Sequence, residues 1–247
     1  MITKIKRYGF EIEGEYSNDF RGAIAEHGEM KGDGSVRHCN SDLHIGKFNS
    51  SMRTGEYNSP ILNFTNAGLA KGKKIVSLFQ EAYNKGEFHW NKSCGFHVHV
   101  SFDPVKPADL YSSQFAAYFE KALNTKFPGV VSRRKNNNYC RMQFSDEEIA
   151  DPTERYRFIN FTMGHHPTLE FRIFPAAMPT RMWSFVEFTL ATIARFIEEE
   201  TLVIKQEIDI FTIVSKREIT SKIPSAKESM VEHNELLEFK HLDVKLK

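Results

Sequence analysis

Lys6-Arg7-Tyr8-Gly9-Phe10-Glu11-Ile12-Glu13 alternates from Tyr8 onward. Successive side chains of a strand point to opposite sides, so Tyr8, Phe10 and Ile12 share one face while Gly9, Glu11 and Glu13 share the other. Cys94 to Phe102 repeats the design, with Phe96, Val98, Val100 and Phe102 opposed to Gly95, His97, His99 and Ser101. Leu169, Phe171 and Ile173 likewise oppose Thr168, Glu170 and Arg172, and the shorter Gly55-Glu56-Tyr57-Asn58-Ser59-Pro60 puts Glu56 beside Asn58. Several strands therefore carry one apolar face, to be covered by helices, and one face of ionisable side chains. The fold class expected is α+β.

Helical periodicity accounts for the cover. Leu69, Ile75, Leu78, Phe79 and Ala82 predict a helix from about Asn66 to Tyr83. A second is expected after Pro107, with Leu110, Phe115, Tyr118, Phe119 and Ala122 on its apolar side and Gly129 just past its end. A third follows Pro179, where Trp183, Val186, Phe188, Leu190, Ile193 and Phe196 line up before Glu198-Glu199-Glu200. Val203–Val214 reads equally as helix or strand, and Glu228–Phe239 as a charged helix. The expected division is a catalytic-type domain over 1–200 and a C-terminal extension over 201–247.

The 247 residues are 40% hydrophobic and 26% charged, a globular mix rather than a disordered one. Lys+Arg 33 against Asp+Glu 32 leaves a formal charge of +1, so no global basic field points to nucleic acid. No apolar run approaches the ~20 residues that span a bilayer, and the basic first residues lack the apolar stretch of a signal peptide. Three cysteines, Cys39, Cys94 and Cys140, cannot all pair within the chain, so a reduced cytoplasmic setting is expected. The 21 Phe and 8 Tyr suit half-buried strands.

Solvated strand faces favour Lys, Thr and Ser; these carry Glu-x-Glu, His-x-His and Glu-x-Arg. Carboxylates at i and i+2 lie roughly 6.6–7 Å apart, and they repel unless cations compensate. Glu11, Glu13, Glu56 and Glu170 with one His suit Mg²⁺ or Mn²⁺ better than a structural Zn²⁺, whose His/Cys spacing is absent. Arg172 adds a fixed cation, and metals with arginines suit an anionic, phosphorylated substrate. The chain has neither a GxxxxGK(S/T) nor a GxGxxG loop, so phosphates would be held otherwise.

The motifs Gly9-Phe10-Glu11-Ile12-Glu13, Asp33-Gly34-Ser35, Glu56-Tyr57-Asn58-Ser59-Pro60, Cys94 to Ser101 and Leu169-Glu170-Phe171-Arg172 occur in the order seen in the amidoligase family. The chain resembles that family, which belongs to the glutamine synthetase/glutamate–cysteine ligase superfamily. The likeness runs from about Lys4 to Phe196. Asn91 to Ser101 is similar to the glutamine synthetase pattern N-G-S-G-x-H-x-H-x-S, departing at Lys92 and Cys94, where that pattern has glycines. The resemblance implies a curved, mainly antiparallel sheet of the glutamine synthetase type with helices on its convex face. It also implies ATP, Mg²⁺, a carboxylate substrate, an amine acceptor, and amide formation through an acyl phosphate. Glu11, Glu13, Glu56, His97 and Glu170 would be the metal ligands, His99 and Ser101 would lie near the nucleotide, and Arg172 would face the transferred phosphate.

Other positions stay open. Asp33 contacts the amine or a metal-bound water, or simply builds a turn. The basic, Asn-rich run from Arg133 to Arg141 is a loop closing over phosphates, with Arg134 and Arg141 the best candidates, or a solvated surface loop. Arg155, Arg157 and Asn160 precede Thr168, with Asn160 and one arginine as pocket candidates, and His165-His166-Pro167 reads as a turn. Two other functional classes compete with the ligase: a cupin-like metal-dependent oxygenase or isomerase, and a degenerate, non-catalytic binding module. The sequence leaves the oligomeric state and the identity of the acid and amine open.

Overall fold

The structure is a computed structural model that describes residues 4–36, 52–104, 110–134, 138, 140–141, 156–162 and 167–220, with side chains as far as residue 200. In chain order the elements are β1 (Lys4–Tyr16), α1 (Asn18–Ala25), β2 (Glu29–Lys31), β3 (Arg53–Asn58), β4 (Leu62–Asn63), α2 (Asn66–Lys85), β5 (Phe88–His89), β6 (Gly95–Asp103), α3 (Ser113–Lys126), α4 (Val130–Arg134), β7 (Ile159–Thr162), β8 (Thr168–Pro175) and α5 (Pro179–Thr220). The α+β class read from the alternation holds. The described strands form one open antiparallel sheet in the order β2-β3-β1-β6-β8-β7, with β4 and β5 also pairing along β1. β2 and β7 end this path, so the described sheet is not the closed barrel a cupin requires.

The 13-residue β1 is central because its alternation gives it two usable faces and its length lets four strands pair along it. Tyr8, Phe10 and Ile12 enter the core with Phe96, Val98 and Val100 of β6, as their parity predicts. Two bulges correct the simple alternation. Ile5 pairs with Phe102 but Arg7 with Ser101, so Lys6 is an extra residue and Ile5 is turned into the core despite sharing the parity of Glu11. On β8, Phe174 pairs with Phe96 while Phe171 pairs with Val98, which places two β8 residues opposite His97. Alternation expected through Ile173 therefore breaks there, and Phe171, Ile173 and Phe174 are all buried.

Helices cover the apolar face. The α2 helix begins where Thr65 Oγ1 accepts from Gly68 N at 3.2 Å and stops at Gly86, whose φ of 74° is a left-handed conformation suited to glycine. Past Pro107, residues 105–109 lie outside the described residues and Leu110 is helical; the helix Ser113–Lys126 then starts where Ser112 Oγ accepts from Phe115 N at 3.2 Å. The core is aromatic: Phe119 meets Phe171 and Phe174 stacks on Phe185, both with ring centroids 4.6 Å apart. Such pairs add about 0.5–1.5 kcal/mol each beyond area burial. They fix the helices behind the strands that carry the ionisable face.

The chain divides into two units, Met1–Glu198 and Glu199–Lys247. Helix α5 continues through Val203–Val214, which the sequence left undecided between helix and strand. Cys39, Arg155, His165, His166 and Glu228–Phe239 lie outside the described residues. No helix among the described residues is long and apolar enough to cross a membrane.

Candidate functional site

Strand register stacks the ionisable residues into rows on the face away from the helices. Glu11 lies opposite Asn58 on one side and His97 on the other; Glu13 lies opposite Glu56. His99 lies opposite Gly9 and Glu170, and Glu170 opposite Asn160. Directly opposed residues of antiparallel strands share a face at Cβ separations of about 4.5–5.5 Å. Motifs more than 150 residues apart in the chain therefore become neighbours.

Glu11 is the hub. Its Oε2 lies 2.9 Å from His97 Nδ1 and its Oε1 lies 3.1 Å from His99 Nε2. His97, only 3% exposed, turns both ring nitrogens toward carboxylates: Nδ1 is also 3.5 Å from Glu170 Oε1, and Nε2 is 3.6 Å from Glu13 Oε1. Glu13 Oε2 accepts from Gly95 N at 2.5 Å. A Cβ on Gly95 would fall 2.7 Å from His97 Nε2, so only glycine leaves the imidazole its place. Glu170 is held by Arg172 Nη1 on Oε1 and by Asn160 Nδ2 at 3.4 Å on Oε2. Asn58 Nδ2 donates to Glu56 Oε1 at 3.0 Å.

Asp33 arrives from the loop after β2. Val36 packs with Cys94 and Ala176 in a small apolar cluster, which pins this loop near the start of β6. The Asp33 carboxylate accepts from Ser35 N and Ser35 Oγ, both at 2.7 Å, so it builds the turn and also reaches the cluster. Three sets of candidate ligands result: Glu11–Glu56–His97, Glu11–His99–Glu170 and Glu13–Asp33–Glu56, with the donor atoms in each within 4.8 Å of one another. Glu11 and Glu56 each belong to two sets. The turn Asn91–Cys94 closes without the glycines of the glutamine synthetase pattern, because Asn91 Oδ1 accepts from Ser93 N and Oγ at 2.8 and 2.6 Å.

Electrostatics fit cations here. Burial opposes ionisation of Glu11, yet the His97 hydrogen bond, the His99 contact and the charge of both rings hold its carboxyl well below the usual range. Burial and then the Glu11 charge push Glu56 up, against the Asn58 hydrogen bond. Burial would lower His99, but the Glu11 and Glu170 carboxylates raise it. His99 Nδ1 meets Thr168 Oγ1 at 3.1 Å, while its buried Nε2, though 3.1 Å from Glu11 Oε1, is out of hydrogen-bond line. His99 is a member of the Glu11–His99–Glu170 group, one of the three that could hold a metal ion. The donor set is carboxylate with imidazole, rich in the oxygen atoms that hard divalent cations prefer. Burial pushes the Cys94 thiol up to about 12, which suits a core residue rather than a ligand.

The predicted residues Glu11, Glu13, Glu56, His97, His99, Glu170, Arg172 and Asp33 are thus brought together. Ser101 lies one row away, its Oγ 3.5 Å from the Arg7 carbonyl. Arg134 is buried against β8 and donates from Nη2 to the Arg172 carbonyl at 3.3 Å, and Arg141 is exposed in an isolated bridge with Arg157. Sequence reasoning passed over Glu15, 1% exposed and opposite His89, although its parity continues that of Glu11 and Glu13. It also passed over Thr168, whose hydroxyl meets both His99 and, at 2.8 Å, Thr162.

The fold and this site define an open-sheet α+β protein with three groups of side chains on one sheet face and its adjoining loop that could hold a metal ion. Residues 6–151, more than half of the chain, match the family model described as Putative amidoligase enzyme, and the protein belongs to that family. The match includes every clustered residue except Glu170 and Arg172. No curated protein matches the chain.

Proposed function

We propose that the protein is an ATP- and Mg²⁺-dependent carboxylate–amine ligase on a sheet of the glutamine synthetase type. The observation that carries the reading is the interlocked ligand set, three groups sharing Glu11 and Glu56 on one sheet face, in a chain of the amidoligase family. Glu11, Glu13, Glu56, His97 and Glu170 would hold the ions, with Mn²⁺ able to replace Mg²⁺, and Asp33 and His99 lie within reach of the same positions. Bound there, divalent ions supply charge neutralisation for a transferring phosphoryl group.

The chain's own residues would do the positioning. Arg172, oriented by Glu170, faces the phosphate in transfer, with Arg134 and Arg141 as further phosphate candidates. His99 and Ser101 line the nucleotide end, and Asp33 borders the side from which the amine enters. A substrate carboxylate attacks the γ-phosphate of ATP and releases ADP; the amine then adds to the acyl carbon, loses a proton and expels phosphate. The acceptor is a small molecule, a peptide or a protein side chain. The buried Cys94 and Cys140 are unpaired, which agrees with the cytoplasmic setting we propose.

The test is ADP release by the metal-stripped protein, with Mg²⁺ restored, across a matrix of carboxylic acids and amines. Release that requires Mg²⁺, an acid and an amine, and disappears in Glu13→Ala, is the expected result. Metal-dependent turnover of an acid without any nucleotide would overturn the ligase reading.

A further inference from the structure

The ionisable face changes character along β1. At Glu11, Glu13 and Glu15 it is carboxylate-rich; at Arg7 it presents hydrogen-bond donors. Arg7 pairs with Ser101 of β6 on one side and Asn63 of β4 on the other, so a guanidinium, a hydroxyl and an amide share one row of this face. Among the described residues, Arg7 has no carboxylate partner. Arg172 is bound to Glu170, and Arg134 gives its Nη2 to a backbone carbonyl. Arg7 is half-buried rather than waving in solvent.

Between the two regions β1 itself contributes no side chain, because residue 9 is glycine. Gly9 stands two residues from Arg7 and two from Glu11, and opposite it stands His99. A Cβ at Gly9 would come 3.2 Å from Ser59 Oγ, the hydroxyl that receives Phe10 N at 2.8 Å. Glycine therefore lets Ser59 close against β1 beside the Glu11–His99–Glu170 group without a clash. Four residues of strand separate the Arg7 and Glu11 α-carbons by about 13 Å. A single carboxylate would be satisfied at one end of such a span. A chain of linked phosphates carries anionic oxygens along its whole length.

We propose that Arg7 is a nucleotide-binding residue that holds a phosphate of ATP, with the phosphate chain running over Gly9 from Arg7 to the cation positions. The proposal rests on the ligase reading above and adds to it a residue and a direction for the nucleotide. Ser101 and Asn63 flank Arg7 as neutral donors. Arginine suits the position because its fork donates two parallel hydrogen bonds to a phosphate, which a lysine cannot do.

Calorimetry on the full chain tests it, with Mn²⁺ alone and then ATP in the presence of Mg²⁺, for wild type, Arg7→Ala and Arg7→Lys. ATP affinity should fall at least about tenfold in Arg7→Ala, the loss of a charge-assisted hydrogen-bonding partner. Arg7→Lys should lie between, and Mn²⁺ affinity should be the same in all three. Unchanged ATP affinity in Arg7→Ala, with wild type binding, overturns the Arg7 assignment and leaves the ligase reading standing. Equal loss of Mn²⁺ and ATP binding shows a structural role and overturns it as well. A wild type that binds Mn²⁺ but no ATP overturns both.

Discussion

Glu11→Gln is the most informative single change, because one carboxylate contacts both His97 and His99 and serves two of the three cation groups. Without metal, the variant loses a charge-assisted hydrogen bond worth about 1.5–3 kcal/mol. Against this, it relieves the repulsion that Glu11 exerts on Glu56. The Glu11 carboxyl is nonetheless held well below its usual range, so the attraction wins and the metal-free melting temperature should fall. With metal the outcome differs. Ligand at 100 times its Kd stabilises the native state by about 2.7 kcal/mol, and at roughly 2–4 °C per kcal/mol for a domain this size the wild type should gain about 5–11 °C. Even removing a residue that only orients a metal ligand weakens binding about 10–100-fold, and a shared ligand should reach the upper end. The same metal concentration then equals the variant's Kd, the stabilisation falls to about 0.4 kcal/mol, and the gain shrinks to roughly 1–2 °C. The assay is thermal unfolding after chelation, with and without MnCl₂. A variant that keeps the wild-type gain would refute the placement of Glu11 at the centre of the site.

Two further outcomes follow from the geometry. Gly95→Ala should fold yet bind Mn²⁺ at least about tenfold more weakly, since the new methyl would stand 2.7 Å from His97 Nε2 and 3.2 Å from Glu13 Oε2; a normal Mn²⁺ isotherm would show that His97 need not sit where the structure has it. Alkaline stability should fall because burial pushes both the Cys94 thiol and the Tyr111 phenol up to about 12. The folded chain keeps those protons while the unfolded chain releases them from about pH 8.5 and 10. Their stabilisation is complete below those values and is lost as the pH climbs toward 12. Melting temperature should decline from pH 9 upward, less steeply in Cys94→Ala; equal slopes in the two proteins would contradict the assignment of the Cys94 thiol to this window.

What the sequence could disclose was local. Glu11, Glu13, His97 and His99 announce their face by strict alternation, and the periodicity of Leu69 to Ala82 announces a helix to cover the other side. Its caps, Thr65 and Gly86, emerged only with the structure. The two bulges were hidden, since an extra residue such as Lys6 exists only relative to the partner strand, and a single chain segment does not carry its register. That is also why Arg7 was overlooked: its significance lies in Ser101 and Asn63 opposite it. Asp33 reaches Glu13 and Glu56 through the anchoring of Val36 on Cys94 and Ala176, a contact across more than 50 residues that no local pattern reports. Arg134 was legible as a basic residue in its run, but not its burial or the Nη2 hydrogen bond to the Arg172 carbonyl, which depend on β8.

Calorimetric titration of the metal-stripped protein with ATP, with and without Mg²⁺, tests the central claim most directly. The account predicts ATP binding that appears only with Mg²⁺ and vanishes in Glu13→Ala while that variant still melts cooperatively. Tight Mg²⁺ or Mn²⁺ binding with no effect on ATP, in wild type, would contradict it.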